Sequence, residues 1–165
     1  MIDIFKNTES FIAVNGERIA QLKQTAQQST KRLSRLCIHQ STNDLIQEML
    51  LAFCQDCLIT PNDASGRSMS FNIIEGEMLL VLFDDYGKVT NFVQMGPIGS
   101  GKVFMYRLCL PTWHALIPMS KFVVIYECIE GPFIKSSKPL PKWVPVDPNE
   151  LRSFLSRISE DCACV

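Results

Sequence analysis

Apolar residues recur along this chain at two spacings, and the change from one to the other divides it. Near the start, Ile19, Leu22 and Ala26 fall at helical spacing within good helix formers, which predicts a helix over residues 17–29, with Asn15 as its cap. Leu45, Ile46, Met49, Leu50 and Phe53 make a second helical face, predicting a helix over 42–53 capped by Thr42 or Asn43. From Cys57 onward short β-prone runs take over, at 57–60, 68–74, 78–83, 89–93, 103–108, 114–117 and 122–128. Pro61-Asn62-Asp63, Glu75-Gly76-Glu77, Asp84-Asp85-Tyr86-Gly87, the segment 97–101 and Pro118 punctuate them as turns. The runs 79–83 and 89–93, joined by the second acidic turn, read as a hairpin.

Many short strands so spaced predict a sandwich or closed barrel. The proline-rich residues 131–148 read as an extended strap over it. Asp147 as cap, Pro148 at the first helical position and a stripe of Leu151, Phe154, Leu155 and Ile158 predict a closing helix. The expected organisation is one structural domain in three parts. Residues 1–56 form an N-terminal strand and helices, 57–146 the barrel and strap, and 147–165 the C-terminal helix.

A chain of 165 residues is long enough to bury a core without disulfides. Its net charge of −1, from 16 basic and 17 acidic residues, argues against nucleic acid as a partner. Lys23, Lys31, Arg32 and Arg35 cluster, but Glu17, Asp44 and Glu48 lie near, and the group reads as a solvated helix face. No apolar run approaches the roughly 20 residues of a membrane span, and the first residues lack the pattern of a secretory signal. The expectation is a cytoplasmic protein, with no membrane partner and with its seven cysteines reduced.

Candidate chemistry is sparse. Pro111-Thr112-Trp113-His114-Ala115 places a histidine beside a tryptophan within the strand-rich region, the way a small barrel presents one ligand to its interior. Cys54 and Cys57 form a CxxC; the spacing of Cys162 and Cys164 is wrong for a zinc ribbon, and all four read as structural thiols. The terminal Cys162-Ala163-Cys164-Val165 matches a prenylation box without its upstream basic residues, and reads as coincidence. Segment 97–102 lacks the full phosphate-loop pattern and reads as a connection. Glu127 would be costly to bury unpaired, so it is expected at a pocket mouth or beside a partner such as Arg107.

Several segments together resemble the small cupin-fold metalloproteins of the WbuC type, associated with bacterial O-antigen clusters. They are residues 35–41 and 44–50, Ile74-Glu75-Gly76-Glu77, residues 82–87, Thr112-Trp113-His114, residues 126–133 and Trp143-Val144-Pro145. The resemblance implies a mainly β fold: a cupin-type jelly-roll β-barrel (double-stranded β-helix) with N-terminal helices and a short C-terminal helix. It also implies a divalent metal held by two histidines two residues apart, a glutamate and a later histidine. Here the last is His114, the pair falls at Asn62 and Ala64, the glutamate falls near Met69 or Ser70, and Pro111 stands where many cupins carry glycine. One imidazole does not make the three or four convergent donors that a tight site needs, so no metal ligand set and no cofactor is assigned. By the same resemblance His39 is a structural hydrogen-bonder.

The first functional expectation is therefore a degenerate cupin that binds a small polar molecule in its pocket. A sugar or sugar-nucleotide, with an accessory part in surface polysaccharide metabolism, is the occupant that the resemblance brings. His114, Asn62, Asp63, Ser70, Tyr106 and Trp113 are the expected lining, with Trp113 offering an apolar face to a sugar ring. An alternative is a sugar isomerase or epimerase using His114 as general base, with or without a weak metal. A third is a non-catalytic homodimer joined through a barrel edge strand or the apolar face of the C-terminal helix.

Overall fold

A computed structural model describes residues 3–5, 10–133 and 139–163. Two antiparallel sheets face each other across the main core, and each carries one helix on its outer surface.

The first helix, α1 (Gly16–Gln28), begins where Asn15 Oδ1 accepts a hydrogen bond from Arg18 N at 3.0 Å. It buries Leu22 and Ala26 against the large sheet. That sheet contains β1 (Asp3–Phe5), β2 (Leu33–Cys37), β3 (Ile46–Cys54), β4 (Met69–Glu75), β7 (Met105–Leu108) and β9 (Phe122–Glu130), in the order β1-β2-β3-β9-β4-β7. The small sheet places β5 (Met78–Phe83) between β6 (Val89–Met95) and β8 (Trp113–Pro118). All strand pairs are antiparallel except β1 with β2. Helix α2 (Pro148–Ala163) lies on the outer face of the small sheet.

The period-two alternation of strands sorts side chains into three buried layers. Met49, Leu51 and Phe53 of β3 meet Met78 and Leu80 of β5 and Leu116 of β8 in the central layer. The intervening residues Leu50, Ala52 and Cys54 point the other way, to Leu22 and Ala26 of α1. Leu79, Val81 and Phe83 of β5 likewise turn outward, to Leu151, Leu155, Ile158 and Cys162 of α2.

These layers correct several expectations. The two sheets are not closed into a barrel; the isolated bridges Asn62 to His114 and Met95 to Val103 tie small-sheet strands to residues outside both sheets. The second predicted helix is a strand, β3, because helix and core cover its two faces and so erase the alternation that marks a strand. Residues 57–60 form no strand. The basic cluster is not one helix face: Lys23 pairs with Glu75 at 2.7 Å, Arg32 with Asp56 at 2.9 Å, and Arg35 lies on β2. The apolar face of α2, expected as one possible dimer interface, packs on the small sheet, and β7 with the exposed Met105 stands at an edge of the large one.

Other expectations match. The β5–β6 hairpin turns where Asp84 Oδ1 accepts from Tyr86 N and Lys88 N. Asp147 Oδ1 accepts from Asn149 N and Glu150 N at the start of α2. Part of the expected strap, 134–138, lies outside the described residues, as does Cys164. Beyond that gap Trp143 packs on Phe83 and donates from Nε1 to Asp85 O at 3.1 Å.

Candidate functional site

Between the sheets lies a cavity of about 710 Å³, within the range that holds a drug-sized molecule. Strand alternation builds its wall. From the large sheet come Leu33, Arg35 and Cys37 of β2, Met49, Leu51 and Phe53 of β3, Met69 and Phe71 of β4, and Glu127 and Ile129 of β9. His114 and Leu116 of β8 close the opposite side. The exposed lining residues Gln40, Thr42, Asn62, Ser65 and Phe133 mark the mouth. The wall is thus apolar along β4 and the Met49, Leu51 and Phe53 positions of β3, with polar groups set into it from β2, β8 and β9 and gathered toward the mouth.

His114 is fully buried, its ring edge-on to Phe71 with centroids 6.5 Å apart. Its Nδ1 lies 2.9 Å from Thr112 O. A carbonyl only accepts, so Nδ1 carries the proton and the neutral ring presents Nε2 as an acceptor. Nε2 is buried and has no partner. Burial lowers the pKa of this histidine against smaller opposing effects of Thr112 and Asp63, favouring the same neutral form.

Two arginines and one carboxyl supply the charge. Arg35 Nε is buried without an acceptor. Arg67 is held in place, donating from Nε to Ala64 O and from Nη1 to Glu130 O, with its guanidinium 5.5 Å from the Phe133 ring centre. Glu127 sits in the cross-strand row Met49–Glu127–Phe71–Tyr106. Burial pushes its carboxyl up to about 7, against the pull of Arg35 and Arg67. Gln47 donates from Nε2 to Ser41 O and Asp44 O, and His39 Nδ1 meets Glu48 O at 2.8 Å; both brace the 39–44 loop.

The mouth loop is strained. Ala64 and Ser65 both have positive φ, at 56° and 54°, a conformation that costs L-residues roughly 1–2 kcal/mol each. Asn62 Oδ1 holds Ala64 N and Asp63 Oδ1 holds Ser65 N. The loop is also tied to β8, since Asn62 and His114 exchange both backbone hydrogen bonds at 2.9 and 3.0 Å.

Of the six residues expected to line a pocket, the structure brings His114 and Asn62 to the cavity wall. Tyr106 stands on the same side of the large sheet, packed on Phe71 at 5.0 Å, its buried hydroxyl unpartnered and its pKa raised by burial and then by Glu127. Asp63 caps the mouth loop. Ser70 and Trp113 belong elsewhere, because their neighbours in sequence take the inward positions. Ser70 meets Arg107, and Trp113 packs edge-on against Trp143 at 5.6 Å in the layer under α2. Arg107 accordingly is not the partner of Glu127. Sequence reasoning missed Arg35 and Arg67 as wall residues; the alternation Leu33-x-Arg35-x-Cys37 was the available signal for the first.

The residues present do not fit the metal that a cupin resemblance implies. His114 offers one nitrogen, Asn62 Oδ1 is engaged by Ala64 N, Ala64 has no donor, Met69 offers a thioether and Ser70 faces away. Such donors do not make a divalent-metal site. Among the described residues no three His, Cys, Asp or Glu side chains converge as ligands. Cys54 and Cys57 of the CxxC are buried in different layers, and burial pushes the Cys57 thiol up to about 12.

A family model described as a domain of unknown function (DUF6016) matches residues 7–95. No curated protein matches the sequence. Among solved structures, a protein from Shewanella oneidensis is similar over 61% of this chain and 68% of its own, with 8% identity and a TM-score of 0.50. The Cnp3 cupin domain of Schizosaccharomyces pombe is similar over 62% of this chain and 63% of its own, with 11% identity and a TM-score of 0.49. The Cupin_2 domain of an XRE-family transcriptional regulator from Enterobacter cloacae is similar over 61% and 98%, with 13% identity and a TM-score of 0.47. These are likenesses of fold, and they include cupin-superfamily domains. No helix among the described residues is long and apolar enough to cross a membrane. Since the family match spans more than half of its length, the chain belongs to the DUF6016 family of domains.

Proposed function

We propose that this protein binds a small organic molecule in the cavity between its sheets. The observation that carries this reading is a pair of unsatisfied groups, Arg35 Nε and His114 Nε2, buried in the wall of one cavity. Leaving a polar atom buried without a partner costs about 1–3 kcal/mol, and a ligand that meets both relieves that cost. The apolar remainder of the wall supplies contact area and excludes water. A thermal-shift and NMR screen of sugars, nucleotide sugars and organic acids tests the reading. Hits that weaken in both Arg35→Gln and His114→Ala support it; hits indifferent to both substitutions sink it.

A sugar or nucleotide sugar, in an accessory role to surface polysaccharide metabolism, is the occupant favoured by the WbuC-type resemblance. Its support in the wall is Asn62 and His114, without the stacking face once expected from Trp113. A catalytic reading, as a sugar isomerase or epimerase, draws on His114, a residue of the cavity wall whose Nε2 is unprotonated and without a partner. Exchange of a substrate carbon-bound proton for deuterium, lost in His114→Ala, would favour it over binding alone.

A further inference from the structure

The two unsatisfied groups ask for opposite things. Arg35 is a permanent cation whose Nε can only donate. His114, with its proton committed to Thr112 O, can only accept at Nε2. A single neutral hydroxyl does not match this pair well, because it brings no negative charge to a guanidinium whose acidic neighbour, Glu127, is only partly ionised near neutral pH. A bare carboxylate does not match it either, because its oxygens would face the lone pair of His114. Phosphate is a poorer match than carboxylate: it brings a second negative charge into a wall that holds Glu127, the one acidic side chain among the described lining residues, which is partly ionised near neutral pH.

We propose that the cavity is a site for hydroxycarboxylic acids with an apolar body. The carboxylate takes Arg35, with Arg67 as the second cation of the wall, and the hydroxyl donates to His114 Nε2. The hydrocarbon part lies against the Met49, Leu51 and Phe71 side of the cavity. This rests on the reading of the cavity as a ligand site and narrows it to one chemical class. Glu127, whose carboxyl burial pushes up to about 7, stands in the same wall as a partly protonated neighbour of Arg35.

The test is isothermal titration of the full chain with matched sets of three compounds. Each set holds an aliphatic or aromatic 2- or 3-hydroxy acid, its deoxy analogue and its amide; mandelate, phenylacetate and mandelamide form one set. The hydroxy acid of at least one set should bind, with the deoxy acid about 10-fold or more weaker, since His114 is then left unpaired. The amide should be about 30-fold or more weaker, since Arg35 then meets no anionic partner in the ligand. His114→Ala should erase the first ratio and keep the second, and Arg35→Gln the reverse; circular dichroism confirms that both variants fold. Deoxy acids or amides that bind as tightly as hydroxy acids overturn the assignment. Glucose or UDP-glucose binding through Arg35 and His114, with no hydroxy acid bound, also overturns it but leaves the cavity reading standing. Failure of every compound to bind sinks both.

Discussion

Glu127 is the group whose removal should stabilise this protein, and by an amount that depends on pH. Its carboxyl titrates at about 7 in the folded chain, against 4.5 ordinarily. At about 1.4 kcal/mol per pKa unit this corresponds to about 3 kcal/mol. Glu127 is only half-buried, so solvent screening brings the expectation to about 1–3 kcal/mol. Below pH 4.5 the carboxyl is protonated in both states and contributes no difference. As pH rises, the unfolded chain releases its proton first, so stability falls between about 4.5 and 7 and stays low above that. Glu127→Gln keeps the shape and removes the titration. At pH 4.5 variant and wild type should agree within about 0.5 kcal/mol. At pH 8 the variant should be the more stable by about 1–3 kcal/mol, or about 2–10 °C in Tm at this chain length. His114 has the opposite sign: its lowered pKa costs stability as pH falls below the unfolded value of about 6.5. That effect is common to both proteins and cancels in the difference. Urea titrations followed by the fluorescence of Trp113 and Trp143, both packed under α2, give the two curves. A difference that does not change with pH, or a variant less stable at pH 8, would show Glu127 ionised and clamped by Arg35 and Arg67, and would refute the reasoning.

Three further outcomes are expected. Gly76 has φ of +79°, and a Cβ there would stand 2.1 Å from Phe122 O; Gly76→Ala should cost about 2–5 kcal/mol by chemical denaturation, and a loss below 1 kcal/mol would mean that the turn rearranges freely. Asp147→Ala should cost about 1 kcal/mol through the lost cap of α2, whereas Leu155→Ala should cost about 2–5 kcal/mol; equal losses would contradict the packing of that helix. At pH 7.5 Ellman's reagent should modify the exposed Cys109 quickly and leave Cys57, buried with its thiol pushed up to about 12, unreacted until the chain unfolds; rapid labelling of native Cys57 would show that its layer opens.

Legibility in the sequence followed how many faces an element shows to solvent. Helices α1 and α2 each bury one stripe and expose the rest, so the spacing of Leu22 and Ala26, or of Leu151, Leu155 and Ile158, announced them. The β5–β6 hairpin was announced by its acidic turn. Strand β3 was misread because Leu50, Ala52 and Cys54 are as apolar as Met49, Leu51 and Phe53, each set having its own buried layer. The site suffered the same ambiguity one residue at a time. His114 and Trp113 are adjacent, and only the pairing of β8 with β5 decides which of them looks into the cavity. Arg35 was hidden by its basic neighbours in sequence, from which the turn at Arg32, with φ of 56°, separates it in space.

The reciprocal bond between Asn62 and His114 means that the doorway and the back wall of the cavity are parts of one rigid lever. A guest that nudges the imidazole must also tug on a loop already wound against its preference, so occupancy deep inside should be legible from outside. Amide resonances of residues 64–66 are where a spectroscopist should watch for a guest that touches nothing else on the surface.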